Sequence, residues 1–217
     1  MKKFIYLTLL FLLSFNFQER ALAGDGMSAS SGTNTGSSTY FGISSINFDL
    51  DYQSVEGVNL GSFYEEDFSA VEFYIGKSLG ANFIEIGYFD TSAETKTLSG
   101  TISSITFSGS TTMEFDGIRV GLGRSFMHNN KLNSKLKINY YDIDFDESAA
   151  AAVTSGSSTF KATASYSGSS DMLTIGYGLG YMINDKLGLE LDYEQSINEP
   201  TNIDEVKLLG LNLTYKF

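Results

Sequence analysis

The stretch "GYGLGYMINDKLGLELDYE", Gly176 to Glu194, is apolar at Tyr177, Leu179 and Tyr181, breaks at "NDK" (Asn184 to Lys186), and resumes at Leu187, Leu189, Leu191 and Tyr193. Glycine or a carboxylate fills the positions between. A period of two belongs to a strand with one apolar and one polar or small face, and the polar break joins two such strands into a hairpin. The two-residue spacing also removes the nucleotide-loop reading of "GYGLGY". Gly176, Gly178 and Gly180 share one strand face, with no strand-to-helix turn on which a phosphate could sit.

The same alternation continues to the last residue. In "LLGLNLTYKF" every second position back from Phe217 is apolar: Tyr215, Leu213, Leu211 and Leu209. Working toward the amino terminus, five further segments qualify. Leu132 to Phe145 sets Leu136, Ile138 and Tyr140 against Lys137 and Asn139; Met113 to Phe126 sets Ile118, Val120 and Leu122 against Arg119, Gly121 and Gly123. Phe83 to Asp90 opposes Ile84, Ile86 and Tyr88 to Glu85 and Gly87, and Phe68 to Lys77 opposes Val71, Phe73 and Ile75 to Glu72, Tyr74 and Gly76. Met172 to Met182 and Leu187 to Tyr193 are the hairpin already described. Tyr40 to Tyr52 completes the eight, with Tyr40, Ile46, Phe48, Leu50 and Tyr52 assigned to the apolar face and Asn47, Asp49 and Asp51 to the other.

The connections alternate as well. "SLGAN" (78 to 82), "MHNNK" (127 to 131) and "NDK" are short, whereas the connections after the first, third, fifth and seventh segments are long and polar. An even number of alternating segments with one trimmed and one elaborate end is the pattern of a closed antiparallel barrel in an outer membrane. Closure removes the strand edges that lipid could not tolerate.

The amino terminus supplies the route. Lys2 and Lys3 precede an apolar run from Phe4 to Phe17, and "ALA" at 21 to 23 places small residues for cleavage between Ala23 and Gly24, which defines residues 1–23 as a secretory signal peptide. The run is shorter than the roughly 20 residues a membrane-spanning helix needs. Residues 24–39 contain "SASSGTNTGSST" and are expected to be a flexible segment, leaving 40–217 as one all-β domain. Cleavage removes Lys2, Lys3, Arg20 and Glu19, so the net charge moves from −12 to −14. That argues against a nucleic-acid partner. The chain has no cysteine, and its 22 glycines, 13 tyrosines and 17 phenylalanines beside one proline, Pro200, suit strands.

On these residues the chain resembles the small eight-stranded outer-membrane barrels typified by the transmembrane domain of OmpA and by OmpX, over residues 40–217. The resemblance implies an up-and-down transmembrane barrel in a Gram-negative outer membrane, in contact with lipid and lipopolysaccharide. It also implies that the closing Leu213, Tyr215 and Phe217 are read by the barrel-assembly machinery. Unlike in OmpA, no periplasmic peptidoglycan-binding domain is expected after the barrel, so a cell-wall tether is not implied.

With the apolar face toward lipid, the polar face becomes the core. Glu72, Glu85, Glu190 and Asp192 then share a narrow interior with Arg119 and Lys137, and are expected to form an internal salt-bridge network, since ions of one sign could not sit there alone. An eight-stranded barrel is filled by its own side chains, which makes a plug the first reading and a low-conductance pore the alternative. His128, the single histidine, lies in a short turn beside Asn129 and Asn130, away from the long loops where a hydrolytic histidine would be needed, so no enzyme is expected. Asp142, Asp144 and Asp146 in "DIDFDE" read as a solvated acidic rim. No cofactor, metal or catalytic set stands out. The expectation is a monomeric surface-interaction protein, with adhesion or host and envelope contact through long loops. Two of those loops, around Thr97 to Thr112 and Ala149 to Ser167, carry hairpin signals and are expected to extend as a protruding sheet with free edges.

Overall fold

The computed structural model describes residues 37–217 apart from 56, 57, 199, 201 and 202. The expected signal peptide, with Ala23 and Gly24, lies outside the described residues. The strands are β1 (Ser37–Tyr52), β2 (Ser54–Val55), β3 (Val58–Asn59), β4 (Asp67–Leu79), β5 (Asn82–Thr91), β6 (Glu94–Ile102), β7 (Ile105–Met127), β8 (Leu132–Ser155), β9 (Ser158–Met182), β10 (Leu187–Ser196) and β11 (Ile203–Lys216). Eight of them, β1, β4, β5, β7, β8, β9, β10 and β11, pair in that order, and β11 pairs back onto β1, so the sheet closes on itself. Ser37 to Thr39, assigned by composition to the flexible segment, belong to β1 and pair with Leu79, Ser78 and Lys77. The ladder of an incoming partner strand overrides the local Ser/Thr composition there.

The trimmed end is built from tight turns. Gly80 joins β4 to β5 at φ 68°, a conformation that costs glycine little and other residues more. In the turn from β7 to β8 the side-chain oxygen of Asn129 accepts from the backbone N–H groups of Lys131 and Leu132, and in the turn from β9 to β10 Asn184 accepts from Lys186 and Leu187. Both are asparagine side chains standing in for a turn carbonyl.

The outer surface carries the residues a water-soluble protein would bury. Val71, Phe73, Ile75, Ile86, Ile118, Leu136, Ile138, Ile175, Leu191, Leu209 and Leu211 are each about half exposed and point outward around the ring. A continuous apolar surface of that kind requires lipid as its solvent. Along β9 the outward apolar set runs from residue 173 to 181, about 30 Å of strand at roughly 3.3 Å per residue, which a barrel tilt near 40° reduces to about 23 Å.

Toward the long-loop end this sense inverts on seven of the eight ring strands, β10 alone among them keeping a polar inward face to Glu194. In β1 the outward Phe41 and Ile43 give way to Ser45, Asn47 and Asp49, while the inward Gly42 and Ser44 give way to Ile46, Phe48 and Leu50. In β8 the outward sequence is Leu136, Ile138, Tyr140, then Asp142 and Asp144, against an inward Lys137 and Asn139, then Tyr141, Ile143 and Phe145. The assignment of Tyr40, Ile46, Phe48, Leu50 and Tyr52 to the lipid face is therefore corrected: all five face the barrel interior. Ile46, Phe48 and Leu50 are buried in a cluster with Phe68, Phe89, Phe115, Tyr141, Met172, Val206 and Leu208, against which Tyr52 packs. Once the outer face meets water instead of lipid, the apolar side chains gain by turning inward.

Beyond the ring, β6, β7, β8 and β9 continue as a four-stranded antiparallel sheet. Residues 105–113 of β7 pair with β6 and with 147–155 of β8, which pairs with 158–166 of β9. Where β5 ends, the Thr91 hydroxyl donates to the Phe115 carbonyl at 2.8 Å and accepts from the Phe115 N–H at 2.9 Å. That side chain supplies the rung missing between β5 and β6.

Candidate functional site

Three places can carry function: the lumen, the protruding sheet and the carboxyl-terminal strand. In the lumen, inward positions of β4, β5 and β7 bring Glu72, Glu85 and Arg119 together. Arg119 Nε lies 2.5 Å from Glu72 Oε1, and Nη1 lies 2.9 Å from Glu85 Oε2 and 3.1 Å from Asn139 Oδ1. The Tyr40 hydroxyl donates to the other Glu85 oxygen at 2.8 Å. On the opposite wall Lys137 Nζ is 2.7 Å from Glu190 Oε1 and also bonds Asp192, which accepts from Asn212.

All six charged residues singled out from the sequence are thus in the lumen, in two clusters: Glu72, Glu85 and Arg119 in one, Lys137, Glu190 and Asp192 in the other. Sequence reasoning missed several of their partners. Lys135 pairs with Glu190 at 2.6 Å although the alternation of β8 gave it no special mark. Glu194, inward on β10, accepts from the hydroxyls of Tyr141 at 2.9 Å and Thr174 at 2.7 Å. Its signal was present as the third carboxylate in the Glu190, Asp192, Glu194 series, at the same two-residue spacing.

Glycines make this crowding possible. A Cβ on Gly178 would sit 2.2 Å from Asp192 Oδ1 and 2.9 Å from Glu190 Oε1, and one on Gly87 would sit 2.2 Å from Glu72 Oε1. The void recorded beside Glu72, Arg119 and Asp192 is only about 10 Å³. That is the room of one water, and it lies beneath the apolar layer of Phe48, Phe89 and Phe115.

The protruding sheet has a polar outer face and a more apolar inner one. Phe107, Val153 and Phe160 stand in register across β7, β8 and β9 on the face continuous with the lumen. Threonine pairs Thr95–Thr112 and Thr154–Thr159 tie neighbouring strands on the other side, at 2.8 and 3.0 Å. Among the described residues, no strand pairs with the second side of β6, or with the second side of β9 from Ser158 to Ser170. The two edges differ. Lys96 on β6 reaches across to the Gly61 carbonyl at 2.9 Å, so the loop between β1 and β4 partly covers that edge. Asn198 caps β9 only at its base, accepting from Leu173 N–H at 2.6 Å and donating to the Asp171 carbonyl at 3.3 Å. Below the sheet, Asp90, Asp116, Asp142 and Asp171 face outward, with the Tyr88 hydroxyl donating to Asp116 at 3.0 Å.

At the other end Leu213, Tyr215 and Phe217 all point outward. The Tyr215 and Phe217 rings meet edge to face at 5.5 Å, and the Phe217 N–H donates to the Thr39 carbonyl at 3.1 Å, which carries the closing seam to the last residue. His128 lies in the short turn after β7, with Nε2 2.9 Å from the Ser134 hydroxyl.

Neisserial surface protein A shares the fold, with a TM-score of 0.52 at 15% identity over 84% of this chain and 99% of that one. The attachment invasion locus protein Ail of Yersinia pestis is a more distant match, with a TM-score of 0.41, 15% identity, and 83% and 97% of the two chains covered. The β-barrel domain of Pseudomonas aeruginosa OprF gives 0.41, 9%, 82% and 97%. No curated protein matches the chain in sequence. The outer membrane protein beta-barrel domain family matches residues 7–217. The chain belongs to that family and is an integral protein of the Gram-negative outer membrane.

Proposed function

We propose that the protein is a closed, non-enzymatic barrel that makes contacts at the cell surface through its protruding sheet. The observation that carries this reading is the 13-residue edge of β9, Ser158 to Ser170, which is unpaired on one side among the described residues and stands above a barrel whose lumen is blocked at the ionic clusters. An exposed strand edge offers a row of backbone donors and acceptors to an extended segment of another protein, and its outward side chains set the preference. Partners of this kind are a host-cell or matrix protein or another envelope component. The barrel acts as a monomeric anchor in lipid and lipopolysaccharide. The two ionic clusters and the aromatic layer favour a plug over a pore, because an ion would have to break buried pairs to pass.

Deleting residues 98–107 or 153–164 shortens one hairpin of the sheet and leaves the ring intact. At least one deletion should lower attachment of expressing bacteria to cells or matrix while heat-dependent gel mobility shows that the barrel still inserts. Unchanged attachment in both would sink the adhesion reading. Steady ionic steps in a planar bilayer from purified protein would move the function to a pore.

A further inference from the structure

The inverted apolar layer does not fill the long-loop end of the barrel. Above Phe48, Phe115, Met172 and Val206 lies an open cavity of about 610 Å³, walled by residues that include Leu60, Met113, Ile143, Phe145, Tyr166 and Ile203. Its size falls within the roughly 300 to 1,000 Å³ of small-molecule sites. A lining that served only as a plug would close on itself, as the layer beneath it does. Here the apolar walls face each other across empty space.

The polar groups at this cavity are few and of one character. The Tyr52 hydroxyl is buried and has no hydrogen-bond partner among the described residues. Tyr52 stacks on Tyr64 at 5.4 Å between ring centroids, and the Tyr64 hydroxyl donates to Glu147 Oε1 at 3.1 Å. Burial raises both tyrosines above their ordinary range, with Glu147 adding to the effect, so both remain neutral. Glu65 and Glu66 lie close enough to add further negative potential at Tyr52. The mouth therefore has an uncommitted hydroxyl and an anionic rim over an apolar cup.

We propose that this cavity binds a single-chain amphiphile with a cationic head, of the alkylamine class. The chain would lie against Phe115, Met172 and Val206, and the ammonium would sit between Glu147 and the tyrosine hydroxyls. Charge complementarity selects the amine over a carboxylate, since an anionic head would face Glu147 in a partly desolvated setting. The assignment does not depend on strand addition at β9, because the polar groups that would hold the head, Tyr52, Tyr64 and Glu147, lie off that edge.

The test uses the whole protein in phosphatidylcholine nanodiscs, with calorimetric titration of decylamine and of decanoate against empty nanodiscs. Decylamine should show saturable one-to-one binding above the partitioning background, and decanoate should bind at least about tenfold more weakly. Glu147→Gln should weaken decylamine by about tenfold, the scale of one lost charge-assisted hydrogen bond. Met113→Trp, or Ser170→Trp if the first does not insert, should fill the cavity and abolish binding while heat-dependent mobility is kept. Three results would each overturn the proposal: no saturable excess over empty nanodiscs, decanoate binding as tightly as decylamine, or a folded cavity-filling variant that binds normally.

Discussion

Arg119→Ala removes a guanidinium that is 4% exposed and leaves two carboxylates that are 2% exposed or less without their cation. The burden is not shared equally. Glu85 keeps the Tyr40 hydroxyl at 2.8 Å, so most of the loss falls on Glu72, whose carboxylate fills the space left by Gly87. Breaking a buried pair by removing one member costs about 3 to 5 kcal/mol, because the partner stays desolvated and uncompensated. Adding Glu72→Gln removes the stranded charge and should return part of that loss, whereas Glu190→Gln, in the Lys137 cluster, should return little. The measurement is urea-induced unfolding of protein folded into lipid vesicles, read from the midpoint at constant slope. A loss below about 1 kcal/mol in the single variant, or no recovery in the Arg119→Ala, Glu72→Gln pair, would falsify the view that the two are partners in a dry interior.

Other expectations address the terminus, the inversion and the mouth. Removing Phe217, which closes the seam at Thr39 and extends the outward apolar row, should lower the outer-membrane yield and leave unfolded chain in the periplasm; an undiminished yield would remove its assembly role. Leu211→Lys, in the lipid-facing band, should destabilise by about 2 to 4 kcal/mol, whereas Asp49→Lys, outward on β1 beyond the inversion, should stay within about 1 kcal/mol. Equal effects would mean that the two positions meet the same solvent. Burial holds the Tyr52 hydroxyl above its ordinary value of 10.0, so the stability it contributes is intact below that pH and is lost as pH rises further. Tyr52→Phe should therefore flatten the alkaline fall in stability relative to the parent protein, and an unchanged slope would mean that its hydroxyl meets water.

The sequence was most legible where one solvent rules. Gly176 to Glu194 has lipid along one face and carboxylates along the other, and its alternation gave both strands and the turn between them. Legibility failed where the solvent changes along a strand. In β1 the apolar residues move from Phe41 and Ile43 to Ile46, Phe48 and Leu50, crossing from odd to even positions, and a single face assigned to the whole segment joins them wrongly. The lumen charges were legible by the same alternation, but their pairing was not, because it depends on the register of three neighbouring strands. Lys135 on β8 shows this: it reaches Glu190 on β10 across the glycines of β9. The cavity had no local signal, since its walls come from five strands and two loops.

The inversion also bears on how the strands find their alignment. Alternation alone would tolerate a slip of two residues, because every side chain would keep its face. The change of solvent does not. A two-residue slip of β8 moves it about 7 Å along its axis: one way it carries Asp142 to the depth now held by Tyr140, among acyl chains, and the other way it lifts Tyr140 and Ile138 toward the water. Seven of the ring strands carry their own waterline, and these waterlines must meet at one height for the ring to close. Assembly in this protein is thus checked against the membrane surface as well as against neighbouring strands, and the barrel has one depth at which it can float.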